Sequence, residues 1–156
     1  MSDSQTFSRI PVTILTGFLG SGKTTLLNKI ISQNEGKKIA IIENELGEIS
    51  IDSELVTKQD EGIFELANGC ICCSLSGELS ETLAKIAENK AITHLIIETT
   101  GIADPGPIAL SFISDYKTQA QFKLDAIVCL VDARYIETQL ESQFEASKQI
   151  ALADII

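Results

Sequence analysis

Largely apolar runs alternating with amphipathic stretches predict an α/β fold, a mostly parallel sheet with helices on both faces. Two observations carry this. Val12–Leu15, Lys38–Ile42, Thr93–Ile97 and Ala126–Val131 read as strands apolar on both sides, while Thr24–Ile31 and Ser74–Glu88 carry apolar residues at helical spacing. A third observation locates the chemistry. The unusual polar groups, Gly17–Thr24, Glu43–Glu48, Glu98–Asp104 and Asp132, all fall at carboxyl ends of strands, where such sheets bind ligands.

In chain order, Val12–Leu15 is a strand running into the glycine-rich stretch Gly17–Gly22. Leu26, Leu27, Ile30 and Ile31 then mark a helix, and Lys38–Ile42 is a second strand ended by Glu43-Asn44-Glu45-Leu46-Gly47-Glu48. Ile49–Asn68 has a weak pattern, with a hairpin strand expected at Ile63–Ala67. Leu75, Leu79, Leu83 and Ile86 form a helical stripe, and Asp104-Pro105-Gly106-Pro107 is a rigid turn leading to a short helix. A helical segment precedes Ala151–Ile156, which reads as a strand just starting, so the sheet is expected to be truncated before its last strands.

Composition narrows the function classes. A length of 156 residues suits one domain, and 44% apolar with 22% charged residues excludes disorder or a collagen-like fibre. Twelve Lys and Arg against 22 Asp and Glu give a net charge of -10, which leaves no electrostatic footprint for nucleic acid or an anionic membrane. The apolar runs are far shorter than a bilayer span, and the polar start Met1–Arg9 has no apolar secretory core. The expected compartment is the cytoplasm. Residues 1–10 read as a polar tail and 11–156 as the domain.

Gly17-Phe18-Leu19-Gly20-Ser21-Gly22-Lys23-Thr24 fits G-x-x-x-x-G-K-[ST] at every position, between a strand and a helix. Such a loop turns successive N–H groups into one concavity for phosphate oxygens, and the helix start adds its dipole. Lys23 is expected to reach the β- and γ-phosphates and the Thr24 hydroxyl to ligate Mg²⁺, which places the chain in the phosphate-loop NTPase class. Glu98, ending the third strand in Glu98-Thr99-Thr100-Gly101, is the candidate for holding the Mg²⁺ shell or positioning the attacking water. Gly101 is expected to offer its N–H to a γ-phosphate. Asp132 either lines this crevice or caps a helix.

Cys70, Cys72 and Cys73 crowd into four positions before a helix, which favours metal or redox chemistry over a structural disulfide. Three thiolates need a fourth donor for a tetrahedral site, and Glu43, Glu48 and the single imidazole, His94, are the candidates. Soft sulfur ligands suggest Zn²⁺, with Co²⁺, Ni²⁺ or Cu⁺ as alternatives. His94 is expected at the solvent-side start of its strand. Cys129 lies inside an apolar run and reads as a small buried hydrophobe.

The phosphate loop, the Glu43–Glu48 segment, Asn68-Gly69-Cys70-Ile71-Cys72-Cys73 and Glu98-Thr99-Thr100-Gly101 together resemble the CobW-type (YjiA-like) metal-chaperone GTPases, in order from about Pro11 onward. The resemblance implies a slow, Mg²⁺-dependent GTPase that binds Zn²⁺, Co²⁺ or Ni²⁺ and couples nucleotide state to metal delivery to a metalloprotein client. It places nucleotide binding on Gly17, Gly20, Ser21, Gly22, Lys23, Thr24, Thr25 and Gly101. Transition-metal binding falls on Cys70, Cys72 and Cys73, with Glu43 and Glu48 as carboxylate partners. Leu46 stands where the family usually has Phe. The family's Asn-Lys-x-Asp guanine-reading motif and C-terminal domain lie outside these residues, so guanine is implied by the resemblance alone. A small-molecule kinase and a zinc- or redox-sensing module with a vestigial nucleotide site are the alternatives.

Overall fold

The structure, a computed structural model, describes residues 9–33, 38–43, 63–65 and 77–156. Five strands form one sheet: β1 (Ile10–Thr16), β2 (Lys38–Glu43), β3 (Ile63–Glu65), β4 (Ile92–Glu98) and β5 (Phe122–Cys129). Their spatial order is β3-β2-β4-β1-β5, and every strand pair among the described residues is parallel. The parallel sheet expected from the apolar runs is therefore present. β3 is a correction: it pairs parallel to β2 rather than as a hairpin strand. A parallel neighbour needs a long crossover, and the stretch between Glu43 and Ile63 supplies the length.

Helix α1 (Lys23–Gln33) follows the glycine-rich loop, and α2 (Gly77–Glu88) precedes β4. Then come α3 (Gly106–Ser114), α4 (Tyr116–Gln121), α5 (Ile136–Ser142) and α6 (Phe144–Ala151). α3 is the short helix expected after the Asp-Pro-Gly-Pro turn, where Asp104 Oδ1 accepts from the Gly106 N–H at 2.8 Å. α4 was not legible by period. Asp115 caps it, accepting from Thr118 N at 2.8 Å and from Thr118 Oγ1 at 2.6 Å, and these bonds hold its carboxyl below the usual range.

The two faces of the sheet are packed unequally. One face carries fifteen buried apolar residues among those described, with Val12, Ile14, Ile42, Leu95, Ile97 and Phe122 from the strands meeting Leu79, Leu83 and Ile86 of α2 and Ile108 and Phe112 of α3. Phe112 and Phe122 meet edge to face, with centroids 6.1 Å apart. The opposite face has four among the described residues, Leu15, Ile41 and Ile96 around Leu27 of α1. Beside α1 that face opens into a cleft of about 430 Å³ lined by Leu26, Ile30, Thr13 and His94 among others.

Past α6 the chain lies along the outer edge of β5. Ile155 bridges Val128 in parallel, and Cys129 N–H donates to Ile155 O at 2.8 Å. The strand start expected at Ala151–Ile156 thus sits at Ile155, because Ala151 still belongs to α6. No helix of the described residues is long and apolar enough to cross a membrane.

Candidate functional site

β1 ends at Thr16, flanked by β4 and β5, and the glycine-rich loop rises from the carboxyl end of the sheet between them. The root of the loop is fixed on both sides. Leu130 N–H donates to Thr16 O at 2.8 Å, Thr99 N–H donates to Leu15 O at 2.9 Å, and the buried Thr99 hydroxyl donates to Thr16 Oγ1 at 3.0 Å. Gly17 then turns at φ 139°, where a Cβ would collide with the Leu130 carbonyl oxygen. Only glycine fits there, for conformation and for space. Gly20 and Gly22 also have positive φ, 75° and 96°. Ser21 N–H closes a turn on Phe18 O at 3.2 Å, and Thr25 is exposed on the first turn of α1.

Lys23 opens α1 and is buried beneath the loop. Its ammonium donates to Gly17 O at 2.9 Å and to Phe18 O at 3.3 Å. Burial lowers its pKa, and the nearby Glu98 carboxylate partly opposes that shift. The loop carbonyls thus hold a cation that stronger oxygen acceptors could take up. Thr24, the next residue, donates its hydroxyl to Glu98 Oε1 at 3.0 Å, joining helix start to strand end. A hydroxyl and a carboxylate so paired are the hard oxygen donors a Mg²⁺ ion takes, so the residues fit that ion.

The turn after Glu98 packs onto the loop. A Cβ on Gly101 would lie 2.7 Å from the Leu19 backbone nitrogen, so the turn and the loop touch at Gly101. From the other side, Gln149 of α6 donates Nε2 to Gly101 O at 3.2 Å and to Ala103 O at 3.0 Å. Lys148 pairs with Asp104 at 3.1 Å. Sequence reasoning missed both α6 residues, because Gln149 serves backbone carbonyls, which leave no trace in composition, and Lys148 meets its carboxylate partner 44 residues away in the chain.

Gly17, Gly20, Ser21, Gly22, Lys23, Thr24, Thr25, Glu98 and Gly101 are therefore gathered at one end of the sheet. Glu43 ends β2 directly beside Glu98, and Glu65 of β3 stands beside Glu43 in register, so three glutamates occupy one row across neighbouring strands. Glu48, Cys70, Cys72 and Cys73 lie outside the described residues. Three expectations are refined. His94 is half-buried in β4, its Nε2 2.8 Å from Thr13 Oγ1, rather than at a solvent-side strand start. Cys129 is buried as expected, and burial pushes its thiol pKa up against the pull of the Lys23 charge. Asp132 accepts from Arg134 N–H at 2.9 Å in the turn before α5, whose N-cap is Tyr135.

The domain description "CobW/HypB/UreG, nucleotide-binding domain" matches residues 11–156. The chain is 45% identical over 152 residues to the zinc chaperone YjiA of Escherichia coli K12, covering 94% of this chain and 48% of that protein. It is 39% identical over 167 residues to zinc-regulated GTPase metalloprotein activator 1 of Dictyostelium discoideum, covering 96% of this chain and 34% of that one. The fold superposes on the crystal structure of Zn(II)-bound YjiA GTPase from E. coli with a TM-score of 0.71 at 36% identity, over 94% of this chain and 48% of that chain. The chain spans less than half the length of the curated relatives it matches.

Proposed function

From the premise that the chain belongs to the CobW/HypB/UreG nucleotide-binding family, we propose that it binds and slowly hydrolyses GTP and couples nucleotide state to the handling of a transition metal. The observation that carries this reading is the Thr24–Glu98 hydrogen bond at the start of α1, beside a loop with three positive-φ glycines that Lys23 binds from below. In this reading residues 11–156 form the GTPase domain, behind a polar tail at 1–10. Gly17, Gly20, Ser21, Gly22, Lys23, Thr24 and Thr25 hold the phosphates, and Gly101 meets the γ-phosphate. Thr24, with Glu98 beside it, would hold Mg²⁺, which when bound neutralises developing phosphate charge. Lys23 exchanges its loop carbonyls for phosphate oxygens, and Glu98 orients the attacking water.

The metal arm of the proposal assigns Zn²⁺ to Cys70, Cys72 and Cys73 with Glu43 or Glu48, and admits Co²⁺ or Ni²⁺. Support comes from relatives named as a zinc chaperone and a zinc-regulated GTPase metalloprotein activator. It also comes from the register that sets Glu43, the proposed carboxylate partner of the metal, beside Glu98 of the proposed nucleotide site. The metal is cargo for a metalloprotein client.

Titration with a fluorescent GTP analogue tests the nucleotide arm. The native chain should bind it in a Mg²⁺-dependent way, and Lys23→Ala should weaken binding at least about 100-fold, the scale of a buried charged hydrogen-bond partner. Equal binding by the two proteins would leave a vestigial loop. Equilibrium dialysis of Zn²⁺ in the GDP and GTP-analogue states tests coupling. Coupling of ordinary strength gives about a 5–150-fold difference in Zn²⁺ affinity between them, which linkage makes reciprocal, and equal affinities would remove the claim.

A further inference from the structure

Three buried side-chain polar atoms among the described residues lack a hydrogen-bond partner: Ser21 Oγ, Thr100 Oγ1 and Gln149 Oε1. They belong to the phosphate loop, to the turn after Glu98 and to the helix packed on that turn. Buried polar groups are nearly always satisfied, so unpaired atoms gathered in one region mark an arrangement held for something beyond local stability.

Gln149 extends furthest from the site already described. It is 1% exposed, and its amide nitrogen serves two carbonyls of one turn, those of Gly101 and Ala103. A primary amide has two N–H groups, and both are used here. The preceding residue, Lys148, secures Asp104 at 3.1 Å. Consecutive α6 residues therefore hold the turn at three of its positions. On its other side Gly101 meets Leu19 of the phosphate loop, leaving no room for a side chain. Gly101 is gripped between loop and helix, its carbonyl held by Gln149 and its Cα packed against Leu19.

We propose that Gln149 is a positioning residue for γ-phosphate recognition: α6 holds the turn so that Gly101 meets a triphosphate without reordering. The inference rests on the nucleotide reading above. Preorganised donors are strong because ordering costs are met before the ligand arrives. Removing the amide unpairs two carbonyls and frees the turn. A triphosphate that needs the turn loses affinity, whereas a diphosphate that does not reach it is spared.

Gln149→Met keeps the side-chain length and burial but removes both donors. Binding of fluorescent GDP and of a fluorescent non-hydrolysable GTP analogue, with Mg²⁺, is measured on the native chain and the variant. The expected result is about 10-fold weaker triphosphate binding with diphosphate binding changed less than about 2-fold. A general structural role would weaken both equally, and equal losses or none would overturn the proposal. If circular dichroism shows that Gln149→Met does not fold, Lys148→Ala decides. This change at a half-exposed residue should lower triphosphate affinity about 3-fold, again sparing the diphosphate, and no such difference would overturn the proposal. A native chain that binds neither nucleotide would overturn the nucleotide reading itself, and the proposal with it.

Discussion

The two faces of the sheet differ in how much they bury and in what they support. Among the described residues, the face under α2 and α3 holds fifteen buried apolar residues, and the face under α1 holds four beside a cleft. Yet α1 carries Lys23 and Thr24, two of the residues to which phosphate and Mg²⁺ binding are assigned in the proposal above. Among the described residues, apolar burial is concentrated on one side of the sheet, and the helix that carries Lys23 and Thr24 rests on the other. The lesson is that α1 is anchored by few side chains, chiefly Leu27, and by the hydrogen bonds at the root of the loop.

Substitution on each face tests that division. Phe122→Ala, on the heavily packed face, should cost about 3–5 kcal/mol in urea unfolding while the molecules that remain folded keep their nucleotide affinity. Leu27→Ala should cost about 2–3 kcal/mol and, unlike Phe122→Ala, should weaken nucleotide binding because the first turn of α1 loses its seat. If Leu27→Ala matched Phe122→Ala in stability and left binding unchanged, the division of labour between faces would fail.

A pH titration probes the same helix with a smaller effect. Burial lowers the pKa of Lys23 in the free protein, whereas phosphate would favour its charged form. Nucleotide affinity should thus be flat at neutral pH. It should fall by up to about tenfold per pH unit above the lowered pKa, beginning below the ordinary lysine range. Stability should move the opposite way. Between the lowered and the ordinary value the unfolded chain binds more protons, so this group's contribution rises with pH. A fall in affinity that begins only in the ordinary lysine range would show that Lys23 is better solvated than its burial indicates. The smallest effect is expected at the cleft. Thr13→Val removes the partner of His94 Nε2 and should cost no more than about 1 kcal/mol, with nucleotide binding unchanged.

Much of the architecture was legible because periodicity and glycine placement are written locally. Gly17–Thr24 between a strand and a helix, and Glu98 at a strand end, are each patterns that span only a few residues. The direction of β3 was not legible, since three residues of strand carry no signal that separates a hairpin from a crossover partner. The length of chain before it was the available clue. α4 escaped because six residues are too short for a period, although Asp115 and Thr118 spell a helix start. Gln149 was hidden for a different reason. It recognises backbone carbonyls 48 and 46 residues away, and every residue type has a backbone carbonyl.

The approach of Leu19 to Gly101 has one more consequence. Two uncharged groups share a boundary with no spare volume, so at that contact a displacement of either loop is met by the other through shape. Ionic strength, which blunts communication between exposed charges, has no purchase on such a joint. A signal passed there would arrive undiminished in brine.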